Sequence, residues 1–323
     1  MNPLYRKALD LIRQYDTIIL HRHSMPDGDA AGSQTGMRHL LEDNFPGKRI
    51  YAVGDSAARF SYLPDCEPQE VPDGLFPEAL CIILDCGARS LISDMRFEQA
   101  AATVRFDHHL FQETIADADI SDSSFESACG LITDFALETG LKLSPRSALP
   151  LYLGMVTDSG RFRYDSTTPR TLRLAAALLE QGIDTNELYR NLYSFTVEEV
   201  QKRAHFAMKI RYSPGGTAYL YNSKEEIEAL GMGIFDVSRG MVGVMSDLKG
   251  IDIWANFTES PEGILTELRS SRYTIQPVAV KYGGGGHAKA CGCTLKDKEE
   301  VSALLADLDE ILRKESQTGE ENR

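Results

Sequence analysis

Short apolar runs alternate with stretches of helical periodicity through the first half of the chain. Leu4, Ala8, Leu11, Ile12 and Tyr15 fall on one helical face, and Thr17–Leu20 follows as an apolar run of strand length. A helical stretch over Ala30–Leu41 leads to a second strand at Arg49–Val53, and Leu80–Leu84 and Thr103–Phe106 read as two more. Helical patterns take over at Phe125–Glu138, Ala148–Thr157 and Thr171–Gln181. This rhythm predicts an α/β domain with a parallel sheet and helices on both faces, its ligands at the carboxyl ends of the strands. Gly182-Ile-Asp-Thr stops the pattern, and the polar, helix-prone segment after it suits a connector. The second half reads as strands at Thr217–Tyr221, Ile251–Thr258 and Ile264–Leu268, with helices from Lys224 and near Ser238–Asp247. A closing helix lines up Val301, Leu304, Leu305, Leu308, Ile311 and Leu312 on one stripe. The expected organisation is a domain over 1–186, a helical linker over 187–204, a smaller α/β domain over 205–314 and a polar, frayed tail over 315–323.

Composition narrows the class. With 323 residues, 42% hydrophobic and 25% charged, the chain suits two soluble globular domains. No apolar run approaches the roughly 20 residues of a membrane span. Met1-Asn-Pro-Leu-Tyr-Arg-Lys carries no apolar signal core, and none of the six cysteines forms a C-x-x-C pair. Free thiols in the cytoplasm are therefore expected. The formal net charge of −14 argues against a protein built to grip long duplex DNA. A short phosphorylated ligand in a local cationic or metal site fits.

Acids and histidines gather just past the predicted strands. His23-Ser-Met-Pro-Asp27-Gly-Asp29 follows the first strand, Asp85 ends Ile82-Ile-Leu, and Asp107-His108-His109 ends Val104-Arg-Phe. Asp158 follows the apolar run Leu151–Val156. Singly, each reads as a turn, a helix cap or polar filler. Together, carboxylate oxygens and imidazole nitrogens suit Mn²⁺, Mg²⁺, Fe²⁺ or Zn²⁺, the harder ions first. His23, Asp27, Asp29, Asp85, His108 and Asp158 are too many ligands for one ion with an open position and enough for two sharing a carboxylate.

The ordered set His23-x-x-x-Asp27-x-Asp29-Ala-x-Gly-Ser33, Asp85, Asp107-His108-His109 and Asp158-Ser-Gly resembles the DHH phosphoesterase superfamily. Gly283-Gly-Gly-Gly-His287-x-x-Ala290-x-Gly292, preceded by Arg269-Ser270, resembles the DHHA1 domain of one branch of it. At this length the chain is most similar to the NrnA-like group, which degrades very short RNAs and removes the 3′-phosphate of adenosine 3′,5′-bisphosphate. The resemblance implies two divalent cations, Mn²⁺ first, with Mg²⁺, Fe²⁺ or Co²⁺ as alternatives. His23, Asp27 and Asp85 would hold one; Asp29, Asp85, His108 and Asp158 would hold the other, with Asp85 bridging. Asp107 would support the histidines by hydrogen bonding, and His109 would face the substrate phosphate. Asp85, His108 and His109 are thereby the implied catalytic residues, with a metal-activated water attacking phosphorus in line. Cys291 stands where the family usually shows alanine.

Four successive glycines alone read as a hinge. Beside His287, and after a helix-like Ile275–Tyr282, they also suit close backbone approach to a phosphate. Arg269 offers a bidentate fork for phosphate or, alternatively, a surface ion pair. The resemblance makes Arg269, Ser270, Gly284, Gly285, Gly286 and His287 substrate-binding, across an inter-domain cleft that holds the active site. Short RNA oligonucleotides and nucleotides are the implied substrates, with no membrane partner and a homodimer allowed. A family II inorganic pyrophosphatase and a non-catalytic nucleotide-binding regulator are the competing readings. His21, His39 and His205 are read as structural or surface residues, with His21 also flanking the metal loop.

Overall fold

Five short strands rich in Ile, Leu and Val pair side by side in the N-terminal half of the computed structural model, which describes residues 1–321. They are β1 (Thr17–His21), β2 (Arg49–Ala52), β3 (Leu80–Leu84), β4 (Ala102–Asp107) and β5 (Ala118–Ser121). All pairs are parallel, in the order β2-β1-β3-β4-β5. Every residue of β1 and β3 is buried, as a strand covered on both faces must be. Side chains alternate between two cores. Ile18, Leu20, Ile82, Val104 and Phe106 face one, and Ile19, Cys81 and Ile83 face the other.

The first core lies under helices α1 (Pro3–Gln14), α2 (Gly28–Asn44), α3 (Ala128–Thr139), α4 (Pro145–Asp158), α5 (Pro169–Leu179) and α6 (Thr185–Tyr193). The second face departs from the expectation of α-helices on both sides. It is covered by irregular chain with short 3-10 turns at Asp73–Glu78 and Met95–Gln99, which bring in Phe76 and Phe97. Pro64, Pro68, Pro72 and Pro77 fall in this stretch, and proline breaks the hydrogen bonding a longer helix needs.

Two close contacts align α2 with α4. A Cβ on Gly32 would stand 2.4 Å from the Pro150 carbonyl, and one on Gly154 2.7 Å from the Asp29 carboxylate. Glycine at both positions lets the helices approach and brings Asp29 beside the end of α4. Pro150, lacking an N–H, leaves the Arg146 carbonyl without its helical donor. His39 Nδ1 fills that place at 2.9 Å.

The chain divides into two compact units, Met1–Ser194 and Phe195–Arg323, so the division falls within the segment expected as a connector. The second unit contains α7 (Val197–Met208), β6 (Arg211–Tyr212), β7 (Ala218–Asn222), α8 (Lys224–Ala229), α9 (Ile234–Met241), β8 (Ile253–Ser260) and β9 (Gly263–Ser270). It ends with α10 (Gln276–Lys281), β10 (Gly285–Gly286), β11 (Ala290–Leu295) and α11 (Lys298–Glu321). Its sheet runs β10-β11-β9-β8-β7-β6, antiparallel except between β7 and β8. Val301, Leu304, Leu305 and Leu308 of α11 pack on this sheet, as their spacing predicts. The segment expected as a polar tail continues α11 to Glu321, and its last two residues lie outside the described ones. Among the described residues no helix is long and apolar enough to cross a membrane, and all six cysteines are free thiols.

Candidate metal centre

In a sheet of order 2-1-3-4-5 the strand order reverses between β1 and β3, and a crevice opens at their carboxyl ends. The candidate residues stand there. The chain leaves β1 through His23, which bridges to Ile92, while the Ser24 N–H donates to the Leu91 carbonyl at 2.8 Å. Asp27 caps α2, its Oδ1 accepting the N–H groups of Asp29 and Ala30 at 2.9 and 3.1 Å. Asp29 lies in the first turn of α2 and is buried. Asp85 follows β3 with φ of 56°, a left-handed conformation that side-chain-bearing residues adopt at a cost and that clusters at functional sites. Asp107 ends β4, His108 and His109 follow it, and Asp158 ends α4.

These six ligand candidates converge on Asp85. His23 Nε2 lies 3.8 Å from Asp27 Oδ1 and 3.6 Å from Asp85 Oδ2. His108 Nε2 lies 3.5 Å from Asp85 Oδ1, 3.8 Å from Asp29 Oδ2 and 3.3 Å from Asp158 Oδ2. His23, Asp27 and Asp85 form one group whose ligand atoms lie within 4.8 Å of one another; Asp29, His108 and Asp158 form a second. Asp85, His108 and His109 form a third such group. Most of these separations are too long for hydrogen bonds. They match donors gathered on a common cation, which at ~2.1 Å from each ligand holds them about 3–4 Å apart. Asp85 Oδ1 is buried with no hydrogen-bond partner, as a carboxylate oxygen meant for a cation would be.

The electrostatics make the same demand. Burial, then the charge of Asp85, raises the Asp29 carboxyl to about 7. Burial and the charges of Asp29 and Asp85 push Asp158 well above the carboxylate range. Burial opposes the charging of His23, but Asp27 and Asp85 outweigh it and lift the imidazole to about 11. His108 is also held up against burial, by Asp85 and Asp29. Carboxylates crowded in this way ionise together only when positive charge is supplied, by protons or by cations. The donors fit divalent ions.

Three further groups support the cluster. The Asp29 carboxylate accepts the Ala128 and Cys129 N–H groups at 2.6 and 3.0 Å, at the first turn of α3. Asp107 Oδ1 lies 2.7 Å from His109 Nδ1, and that contact and the nearby charges hold Asp107 below the usual range despite burial. Arg105, fully buried, donates from Nε to Asp119 at 2.6 Å and lies 3.8 Å from Asp107. His21 belongs to the core instead. It is fully buried between Phe76 and Phe97, with Nδ1 3.1 Å from the Asp94 carbonyl, and burial lowers it to about 4.

Residues 17–155 match the DHH family N-terminal domain, and residues 234–314 match the DHHA1 domain. The chain is 33% identical over 305 residues to the bifunctional oligoribonuclease and PAP phosphatase NrnA of Bacillus subtilis, covering 94% of this chain and 96% of that one. This chain belongs to the DHH family. A probable NrnA of Streptococcus mutans is 32% identical over 96% of this DHH protein and 99% of its own length. An exopolyphosphatase-related protein of Bacteroides fragilis shares the fold at a TM-score of 0.86 and 25% identity, covering 96% of this chain and 97% of that one.

In the DHHA1 half, Arg269 lies on β9 opposite Ala290, with Nη1 3.0 Å from Glu267 Oε2 and 2.9 Å from the Leu268 carbonyl. The ion-pair alternative for Arg269 is thus present in this structure. Ser270 Oγ accepts the Arg272 and Tyr273 N–H groups, closing the turn after β9. The glycine run leads from α10 into a small hairpin, β10 with β11. His287 sits at its turn, exposed, its N–H donating to the Ala290 carbonyl at 2.8 Å. A Cβ on Gly284 would stand 2.0 Å from the Gly292 carbonyl, and one on Gly286 2.8 Å from the Ala290 carbonyl. Close packing against β11 therefore requires glycine at 284 and 286, whereas Gly285 faces open space. Cys291 is buried in the core of this unit, where a small apolar side chain fits.

Proposed function

We propose that this DHH protein is a phosphoesterase that hydrolyses very short oligoribonucleotides to mononucleotides and adenosine 3′,5′-bisphosphate to AMP. The observation that carries the reading is Asp85, a buried carboxylate whose two oxygens face two separate histidine–carboxylate groups. A relative aligned over 94% of this chain is named for both activities.

His23, Asp27 and Asp85 would hold one divalent cation, and Asp29, Asp85, His108 and Asp158 a second. When bound, such ions acidify water and neutralise charge that develops on phosphate oxygens. The chain's own groups set the conditions. Asp27 joins the metal loop to α2, and the α3 N–H groups hold Asp29 in its charged orientation. Asp107 orients His109 through Nδ1, and the imidazole is held toward its protonated form despite burial, suited to a phosphate oxygen. Four carboxylates and two imidazoles favour Mn²⁺ among the candidate ions. Arg269, Ser270, the glycine hairpin and His287 would bind the nucleotide. The net charge of −14 suits short substrates rather than long duplex DNA, and free thiols suit the cytoplasm.

Adenosine 3′,5′-bisphosphate, a ribodinucleotide and pyrophosphate, assayed in parallel with Mn²⁺ and with chelator, test the reading. Phosphate from the bisphosphate and mononucleotide from the dinucleotide are expected, both lost with chelator. Hydrolysis of pyrophosphate alone would replace the reading with a pyrophosphatase. Nucleotide binding without any turnover would replace it with a regulator.

A further inference from the structure

The loop after Asp158 has an uncommon backbone. Gly160, Arg161 and Phe162 have φ of 57°, 65° and 61°, three consecutive left-handed residues of which two carry large side chains. Ser159 holds them there. Its carbonyl accepts the Arg163 and Tyr164 N–H groups at 3.0 and 3.1 Å, and its hydroxyl accepts the Phe162 N–H at 2.9 Å. The outcome is that Arg161 lies over the Tyr193 ring, 4.6 Å from its centroid. Tyr193 stacks on Tyr189, one turn earlier in α6, with centroids 5.8 Å apart and planes at 28°. Asn186, Tyr189, Arg190 and Tyr193 line a surface hollow of about 510 Å³.

The chain carries a net −14, yet among the described residues Arg59, Arg161 and Arg190 have no carboxylate within ion-pairing distance. Arg59 and Arg161 both act on the Tyr193 hydroxyl, opposing the rise that burial causes. Arg190 donates from Nε to the Asn186 carbonyl at 3.4 Å, leaving its terminal nitrogens without a carboxylate. Guanidinium groups free of carboxylates and interleaved with stacked aromatic rings are the features that bind a single-stranded nucleic acid, because rings stack bases of any identity and guanidinium forks take phosphates. The position is close to the metal centre. Arg161 follows Asp158 by three residues, so their Cα atoms are at most ~11 Å apart.

We infer that this face of the N-terminal unit holds the nucleotides of a short single strand beyond the one being cleaved. Their bases stack on the Tyr189–Tyr193 pair and their phosphates lie against Arg161 and Arg190. The inference rests on the phosphoesterase reading above and adds a binding site for the remainder of the substrate. It also gives a reason for the strained loop: the turn carries Arg161 from the last metal-ligand candidate to the aromatic pair.

The test uses the full chain with Tyr193→Leu and Arg190→Gln, singly and together. Two substrates are compared, a ribotetranucleotide and adenosine 3′,5′-bisphosphate, which has no further nucleotides to reach the patch. Binding of a fluorescent tetranucleotide to the metal-free protein is titrated alongside. Each variant should lower kcat/KM for the tetranucleotide about tenfold, weaken its binding by a similar factor, and leave the bisphosphate within about twofold. The exposed Arg190→Gln keeps the test decisive if Tyr193→Leu folds poorly. Unchanged tetranucleotide turnover and binding in both variants would overturn the inference, as would equal losses on both substrates. Should the parent chain hydrolyse neither substrate, the phosphoesterase reading fails separately, and the titration still decides: weaker binding by the double variant supports the patch, and undiminished binding overturns it.

Discussion

The carboxylate of Asp29 accepts the backbone N–H of Ala128 at 2.6 Å, so a residue of α2 anchors the first turn of α3. Those donors favour the ionised form, as at any helix N-terminus. Burial and the charge of Asp85 nevertheless raise Asp29 to about 7. The fold thus orients this carboxylate as an anion, while burial and Asp85 outweigh the favourable charge of His108, 3.8 Å away.

A pH dependence of stability follows for the metal-free protein. The Asp29 carboxyl is raised from its ordinary 3.8 to about 7, so the folded state binds the extra proton between those values. Its contribution is greatest below about 4 and is lost as pH rises through 7. The raised pKa values of His23, His108 and His109 act in the same direction, stabilising below 6.5 and losing effect as pH climbs. Asp27 and Asp107, which are lowered, oppose this only below 3.8, and His21, lowered to about 4, opposes it between 4 and 6.5 as one group against the four raised ones. Chelated protein should therefore melt at a higher temperature at pH 5 than at pH 8. With saturating Mn²⁺ the order should reverse, since cations bind the ionised carboxylates and acid competes with them. Scanning calorimetry at both pH values, with and without metal, checks this; identical pH slopes in the two series would contradict it.

Asp85→Asn separates stability from metal binding. It removes a negative charge from a buried cluster in which Asp29 and Asp158 already repel it, and asparagine tolerates the left-handed backbone at this position. The metal-free variant should melt above the parent chain. Its metal content should fall and its turnover should drop by more than the roughly 10–100-fold that loss of an outer hydrogen-bond partner costs. Parent-like turnover with two bound ions, measured by elemental analysis, would remove Asp85 from its bridging role.

The grouping of the candidate ligands was legible because each follows an apolar run of strand or helix character, and a parallel sheet sends such residues to one edge. Its supports other than Asp107 were not. Arg105 lies inside β4 and is fully buried, where a sequence reading finds an interruption of the strand rather than a partner for Asp107 and Asp119. The hold of α3 on Asp29 depends on tertiary contact that no local pattern announces. β10 and β11 carry little strand signal, because Gly285–Gly286 has no side chains and Ala290–Leu295 has Thr294 as its single β-branched residue and no aromatic one. β5, Ala118-Asp-Ile-Ser, is too short to show alternation.

Asp107→Asn tests support rather than ligation. Asp107 Oδ1 sits 2.7 Å from His109 Nδ1, and the substitution keeps the shape while removing the charge that favours the imidazolium. Turnover should fall about 10–100-fold with metal content unchanged. Because His109 is held up by Asp107 and Asp85, the variant should also bring its titration to lower pH, visible by NMR of the imidazole protons. Loss of metal at parent-like folding would make Asp107 a ligand.

The glycine run admits two explanations that differ by position. A Cβ at 284 meets the Gly292 carbonyl at 2.0 Å and Cys293 Cβ at 2.6 Å, so Gly284→Ala must push β11 away and should cost about 1–3 kcal/mol, as overpacking generally does. At 285 an added Cβ finds nothing within 4 Å, and Gly285→Ala should leave the melting temperature within about 1 °C of the parent. If the hairpin backbone approaches a substrate phosphate, that harmless alanine nevertheless occupies the approach and raises KM several-fold at unchanged kcat and metal content. If glycine is needed only for packing, Gly285→Ala keeps the parent KM, and the phosphate role passes to Arg269 and His287 alone. Melting curves and steady-state kinetics on the two alanine variants therefore assign the run to packing, to substrate contact, or to packing at 284 and contact at 285, which is the outcome expected here.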